Sequence, residues 1–194
     1  MNPQPAETAG TAFAAVLDDG ECHEFETQES FDAFIAGTPH GASVKRARDA
    51  AGRARRPNDA DVKALKAKTD KIDRELTARA ERLGLAPYSR ELFERVTVKR
   101  EPSEPEIFDA TLLFEGAGFG GGAAPVYGDI FDLNFIGGWG GRVRSLLSDR
   151  SLILYSQPGF RGLQYWVFVP RGNLVTLADL GWFSGLAASL QYQA

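Results

Sequence analysis

Histidine is the side chain best suited to moving protons near neutrality, and it occurs only at His23 and His40 in this 194-residue chain. Neither lies beside a Ser or Asp signature, so a hydrolase triad has little to draw on. Cys22 and His23 are adjacent, and in a strand adjacent side chains point to opposite faces, which defeats a two-ligand metal site. The glycines between Gly116 and Gly122 superficially suggest a phosphate cradle. No Lys-Ser or Lys-Thr and no helix follow them, so they read as turn glycines. Asp129 and Asp132 are spaced as a pair of surface carboxylates. No P-loop, Gly-x-Ser-x-Gly or His-Glu-x-x-His is present. The expectation is therefore a protein that is not an enzyme, with no catalytic, cofactor-binding or metal-binding residue.

With no chemistry to organise the reading, composition and elements must carry it. Apolar residues make up 43% and charged residues 25%, close to the globular average, so most of the chain should bury a core. The single cysteine excludes an intramolecular disulfide and suits a reducing compartment. The first residues, Met-Asn-Pro-Gln-Pro-Ala-Glu-Thr, have no basic and no apolar region of a secretory signal. No apolar run approaches the roughly 18 residues of a membrane span. The expected location is the cytoplasm at synthesis, with incorporation into a particle or export by a non-signal route left open.

The net charge of −4 hides a division. Residues 1–39 carry −8, residues 40–100 carry +8 and residues 101–194 carry −4. An acidic segment next to a basic one suggests that they pair, within the molecule or across subunits.

Four regions follow along the chain. Residues 1–41 read as a flexible tail, then an acidic β-hairpin and a short helix. The hairpin flanks Asp18-Asp19-Gly20, with Gly20 supplying a positive φ. The helix carries Phe31, Phe34 and Ile35, with Ser30 as the expected cap and Gly37 and Pro39 ending it. Such a unit is too small to stand alone and must dock on something.

Residues 42–100 form a basic helical region. A first helix is expected from Ser43 to about Arg55, so poor in large apolar side chains that it reads as solvated or partner-bound. A longer helix begins at Asn58, with Asp59 and Asp61 in its first turn and Gly84 beyond its end. Its stripe of Val62, Leu65, Thr69, Ile72, Leu76 and Leu83 spans two to three heptads. The stripe suits packing on a neighbour in the same chain or a seam with another chain. A third short helix is expected from Ser89 to about Val96. Residues 101–107 read as a Pro-rich linker, and residues 108–194 as the last domain.

That domain holds an internal repeat. Phe114, Phe119 and Gly121 recur as Tyr155, Phe160 and Gly162, each pair separated by 41 residues. Gly138-Trp139 recurs as Gly181-Trp182 at 43 residues, and Ser145-Leu146 as Ser189-Leu190 at 44. In each copy an aromatic ends a strand, a second aromatic folds back onto it, and Gly marks a position that a Cβ would obstruct. Four short strands per copy would give eight in two packed sheets, with a Trp from each copy between them.

The aromatic-x4-aromatic-x-Gly element, present twice and followed each time by Ser before an apolar strand, resembles the signature of the β/γ-crystallin family. The resemblance covers about 87 residues and implies a Greek-key sandwich; residues 1–100 lie outside it. The fold class expected for the whole chain is α+β, an all-β Greek-key sandwich preceded by a hairpin-helix unit and a helical region.

The resemblance also implies where calcium would sit. Many microbial relatives bind it through Asn/Asp-Asn/Asp-x-x-Ser/Thr-Ser before the last strand of each motif, using oxygen ligands that a hard cation needs. Here the two stretches read Gly140-Gly141-Arg142-Val143-Arg144-Ser145 and Ser184-Gly185-Leu186-Ala187-Ala188-Ser189. Gly141 and Gly185 lack the side-chain oxygens, and Arg144 and Ala188 replace the hydroxyls. The expectation is no cofactor, with calcium binding lost or left to weak backbone carbonyls, and a final Ser that serves the turn.

The function expected from the sequence is non-enzymatic: a structural, assembly or binding protein with a β-domain carried on a helical docking region. The expected partner is protein, through self-association or a larger assembly using residues 42–100, as in a phage or injection-machine particle or its cargo. Two alternatives belong to other classes. One is nucleic-acid binding by the basic helices, weakened by interspersed acids and by the lack of an aromatic platform. The other is a toxin or effector with a β/γ-crystallin-like binding domain.

Overall fold

The structure, a computed structural model, describes residues 11–89, 91–92, 95, 111–170 and 173–193. The expected tail at residues 1–10 and the linker at 101–107 lie outside the described residues, as does most of the expected third short helix. Of that helix, Leu92 donates its backbone N–H to Ser89 Oγ at 3.1 Å.

The Asp18-Asp19-Gly20 turn, with Gly20 at φ 82°, closes a hairpin of the wholly apolar β1 (Phe13–Val16) and the alternately exposed β2 (Cys22–Phe25). The helices α1 (Gln28–Ala36), α2 (Gly41–Arg53) and α3 (Asp59–Leu83) follow. The remaining strands are β3 (Thr111–Phe114), β4 (Ala123–Val126), β5 (Ser145–Ser148), β6 (Leu152–Gln157), β7 (Arg161–Val167), β8 (Val175–Leu177) and β9 (Ser189–Tyr192).

These strands form two sheets, ordered β4-β3-β5-β8 and β2-β1-β7-β6-β9. Each repeat gives three strands to one sheet and its third segment to the other. In the second repeat that segment is β8, paired with β5. In the first it shrinks to a single bridge between Ile130 and Leu190. The result is two interlocked Greek keys, with seven strands and one bridge in the place of eight strands. Between the sheets lie Leu113, Val126, Ile130, Leu146, Leu154, Tyr165 and Leu190. Trp139 joins this core, whereas Trp182 only packs against its edge and the neighbouring Phe183 takes the interior position.

The N-terminal hairpin extends the second sheet. β1 pairs in parallel with β7, Phe13 against Gln164 through Val16 against Val167. Pairing there satisfies the backbone groups of an edge strand, and it places Ala15 on the outer face of the sheet beside Ile153, Tyr155, Trp166 and Phe168. α1 and α2 cover that face with Phe31, Ile35, Val44 and Ala47. Each large apolar side chain so buried stabilises by about 1.5–3 kcal/mol. The Arg48–Asp32 ion pair at 2.6 Å between these helices, being partly exposed, adds about 0–1 kcal/mol. Apolar burial therefore decides the docking.

Two helix details differ from the sequence reading. The cap of α1 is Thr27, whose Oγ1 accepts from Ser30 N–H at 3.2 Å, because Thr27 rather than Ser30 has the extended backbone of a cap. α2 starts at Gly41 without a side-chain cap, and it is not a solvated helix: small residues let it lie close to the sheet. Ser43 Oγ donates to Gln193 Oε1 at 3.2 Å, and Gln191 Nε2 donates to Ala47 O at 3.1 Å. α3 starts and ends as expected, with a capping box between Asn58 and Asp61 and a left-handed Gly84. Three members of its stripe, Leu65, Leu76 and Leu83, pack within the chain. Leu65 lies against the sandwich core, and Leu76 is buried with Ala80 and Leu92 while Leu83 packs beside them.

Candidate functional site

Two places in this fold gather groups that bear on function: the loops before β5 and β9, and the groove where α2 meets the second Greek key.

Neither loop presents the side-chain oxygens of the expected calcium positions, which are occupied by Gly141 and Gly185. Gly141 N–H donates to Ala187 O and Gly185 N–H to Val143 O, both at 2.8 Å, so the loops tie each other through their backbones. The nearby carboxylates hold turns. Asp132 Oδ1 accepts from Asn134 N–H at 2.9 Å, and Asp179 Oδ1 accepts from Gly181 N–H and the Ser184 hydroxyl at 2.9 and 2.8 Å. The Ser184 and Gly181 bonds keep Asp179 below the usual carboxylate range. A guanidinium stands beside the first loop, since Arg142 pairs with Glu115 and lies 5.3 Å from the Trp139 ring centre. Among the described residues no three His, Cys, Asp or Glu side chains converge.

Ser145 and Ser189, the last residue of each loop, work in the turns. Ser145 Oγ accepts from Phe119 N–H at 3.1 Å and donates to Gly116 O at 2.7 Å. Ser189 Oγ does the same for Phe160 N–H and Gln157 O at 3.1 and 2.7 Å. These latches hold Phe119 and Phe160 at φ 64° and 60°, a conformation that non-Gly residues rarely adopt. Gly162, at φ 81°, completes the second turn, where a Cβ would collide with Ser156 Oγ.

The corner at Phe160 forms one wall of a cavity of about 510 Å³. The opposite wall comes from the end of α2 and the chain that follows it, with Arg48, Ala51, Gly52, Ala54 and Arg56. Phe131, Tyr155, Gly159, Arg161 and Gln164 complete the β side, with Gln28 at the edge. The walls are joined from below: Tyr155 OH donates to Gln191 Oε1 at 2.8 Å, and the same Gln191 holds α2 through Ala47 O.

Every charged residue in this lining is an arginine. Arg48 Nη1 is held on Asp32, while its Nη2 is buried with no hydrogen-bond partner, a costly state for a guanidinium N–H. Arg56 and Arg161 form no ion pair among the described residues. Trp166 Nε1, a donor only, bonds Gln164 Oε1 at 2.9 Å, which engages that side chain's acceptor and leaves its N–H donors out of the bond. The lining is rich in donors and poor in acceptors, and it suits an anion.

A second cavity of about 270 Å³ adjoins the first and shares Ala54, Phe131 and Phe160 with it. It is lined further by Pro57, Val62, Leu65 and Phe135, with Arg55, Asp61 and Asp129 at its rim. Asp129 Oδ1 accepts from Tyr192 N–H at 2.8 Å. Desolvation raises the Asp129 carboxyl from its usual range, outweighing that bond and the neighbouring Arg150.

Sequence reasoning named none of these residues as a site. In the sequence Tyr155 and Phe160 stand out as repeat positions, Val62 and Leu65 as stripe positions and Asp129 as a surface carboxylate. One signal was present: Arg161 stands where the first repeat has Gly120, so the two copies differ in charge at that corner.

Residues 111–193 are a β/γ-crystallin-like domain of two Greek keys, and the N-terminal region adds a hairpin and helices to it. No protein-family model matches the chain, and no curated protein matches it. Among solved structures it is similar to a β/γ-crystallin from Ciona intestinalis, at 22% identity and a TM-score of 0.38, over 43% of this chain and 99% of that one. It is also similar to the N-terminal domain of protein S, at 19% identity and a TM-score of 0.37, over 44% and 96%. Spherulin 3a from Physarum polycephalum matches at 16% identity and a TM-score of 0.36, over 44% and 84%. No described helix is long and apolar enough to cross a membrane.

Proposed function

We propose that this chain is a non-enzymatic binding protein that receives an anionic partner in the arginine-lined groove between α2 and the second Greek key. The observation that carries the reading is the lining itself, three arginines and no carboxylate around about 510 Å³. A volume of this size is ordinary for a small-molecule or side-chain site. Two of the arginines, Arg48 and Arg56, belong to the basic helical region, so residues 42–100 keep a docking role. Their role here is in a groove completed by the sandwich, and Leu65, Leu76 and Leu83 of the α3 stripe are already used inside the chain.

The test is calorimetric titration of the full chain with tripolyphosphate at several salt concentrations. Saturable binding that weakens as salt rises is expected, with a loss of about tenfold or more in the Arg56→Ala/Arg161→Ala double variant. Both arginines are exposed, so the variant should keep the fold. Absence of saturable binding, or an unchanged affinity in the double variant, overturns the reading.

A further inference from the structure

Phe160 separates two surfaces of opposite character. On one side lie Arg48, which is held on Asp32, Arg56 and Arg161, with no carboxylate in the lining itself. On the other lie Phe131, Phe135, Pro57 and Val62, with the carboxylates of Asp61 and Asp129 and a single cation, Arg55, at the rim. A ligand filling both cavities must carry negative charge at one end and a flat apolar body at the other, and that body must offer N–H donors.

We propose that the groove takes a nucleoside phosphate whose base bears an exocyclic amine, with phosphate on the arginines and the base against Phe135 and Phe160. This rests on the anion-binding reading above and gives that anion its chemical class. Guanidinium groups match phosphate with paired N–H donors, and aromatic side chains supply stacking surfaces for a base. The carboxylates supply selectivity, because Asp side chains accept from a base amino group. Both are already oriented: Asp61 Oδ2 accepts from Asn58 N–H at 3.1 Å, and Asp129 Oδ1 from Tyr192 N–H at 2.8 Å. An inorganic polyphosphate would leave the phenylalanine cavity unfilled. An acyl phosphate would bring a tail with no donors to the two carboxylates.

The chemistry is shared by a free nucleotide and by the 5′-phosphorylated end of a single strand. Calorimetry on the full chain separates these cases, with AMP, IMP, ribose 5-phosphate, tripolyphosphate and a short 5′-phosphorylated oligoadenylate as the probes. AMP is expected to bind about tenfold or more tighter than ribose 5-phosphate, which carries the same phosphate without a base. It should also exceed IMP, which has a carbonyl where AMP has the amine. Phe135→Ala should bring AMP to the level of ribose 5-phosphate and leave tripolyphosphate unchanged. Phe135 is half-buried and outside the described core clusters, so its loss spares the fold; Asp129→Asn, which keeps the acceptor for Tyr192, should erase the preference for AMP over IMP. An oligoadenylate that binds more tightly than AMP supports the inference with a strand end as the ligand. One that binds no better supports it with the free nucleotide. Equal affinity for AMP and ribose 5-phosphate overturns the inference and leaves the anion-binding reading standing. Failure of every phosphate probe overturns both.

Discussion

Ser189 holds Phe160. Its hydroxyl accepts the Phe160 backbone N–H at 3.1 Å while donating to Gln157 O at 2.7 Å, and the serine is fully buried. Removing the hydroxyl strands a donor and an acceptor in a turn already strained at φ 60°. Ser189→Ala should cost about 1–3 kcal/mol of folding stability, read as a lower urea midpoint. Ser145→Ala breaks the equivalent latch at Phe119 and should cost a similar amount. Because Phe160 lines the groove and Phe119 does not, only Ser189→Ala should also weaken phosphate binding. Equal effects of the two variants on binding would show that the groove does not depend on this latch.

Calcium should leave the protein unchanged. A ligand that binds the native state raises its melting temperature in proportion to the logarithm of its excess over Kd. The loops offer Gly141 and Gly185 where oxygen ligands would stand, and their backbones bond each other. Thermal melts in millimolar calcium and in EDTA should therefore coincide. A calcium-dependent rise of several degrees would reveal a site built from backbone carbonyls.

Much of the sandwich was legible because its signals are local. Phe114, Phe119 and Gly121, repeated 41 residues later, encode a turn whose geometry each copy must satisfy within a few residues. Asn58, Asp61 and Gly84 mark the ends of α3 through caps that are also local. The docking of α2 was not legible, because Val44 and Ala47 become apolar cover only once Trp166 and Phe168 are known to face them. Nor was the parallel pairing of β1 with β7, which joins residues about 150 positions apart. The groove inherits this difficulty: Arg48, Phe131 and Arg161 come from three separate elements, and nothing in their spacing predicts that they meet.

All five tyrosines resist ionisation, and this gives the protein an alkaline limit. Burial raises Tyr127, Tyr155, Tyr165 and Tyr192 well above their ordinary value near 10. Burial, and then the bond from Tyr88 to Asp73, pushes Tyr88 up to about 12. The unfolded chain releases these protons near pH 10 while the folded chain keeps them. Above that pH the folded state binds more protons, so stability falls as pH rises. Absorbance near 295 nm should therefore show little tyrosinate up to about pH 11, then a steep rise coincident with loss of the near-ultraviolet circular dichroism. Gradual titration of several tyrosines in the folded state would contradict the burial described here.

The strongest test of the architecture is to separate the β-domain from what covers it. In residues 101–194 alone, Ile153, Tyr155, Trp166 and Phe168 lose the cover of α1 and α2, and β7 loses its partner β1. An exposed apolar face beside an open strand edge favours association. The fragment should therefore aggregate or form oligomers. In the full chain Leu65, Leu76 and Leu83 of the α3 stripe are already packed, and light scattering should report the mass of one chain, 21.1 kDa. A monomeric, stable fragment would mean that the N-terminal region is dispensable to the sandwich. An oligomeric full chain would return the partner role of residues 42–100 to self-association, with the exposed charged faces of α2 and α3, and not the stripe, as the surface to map.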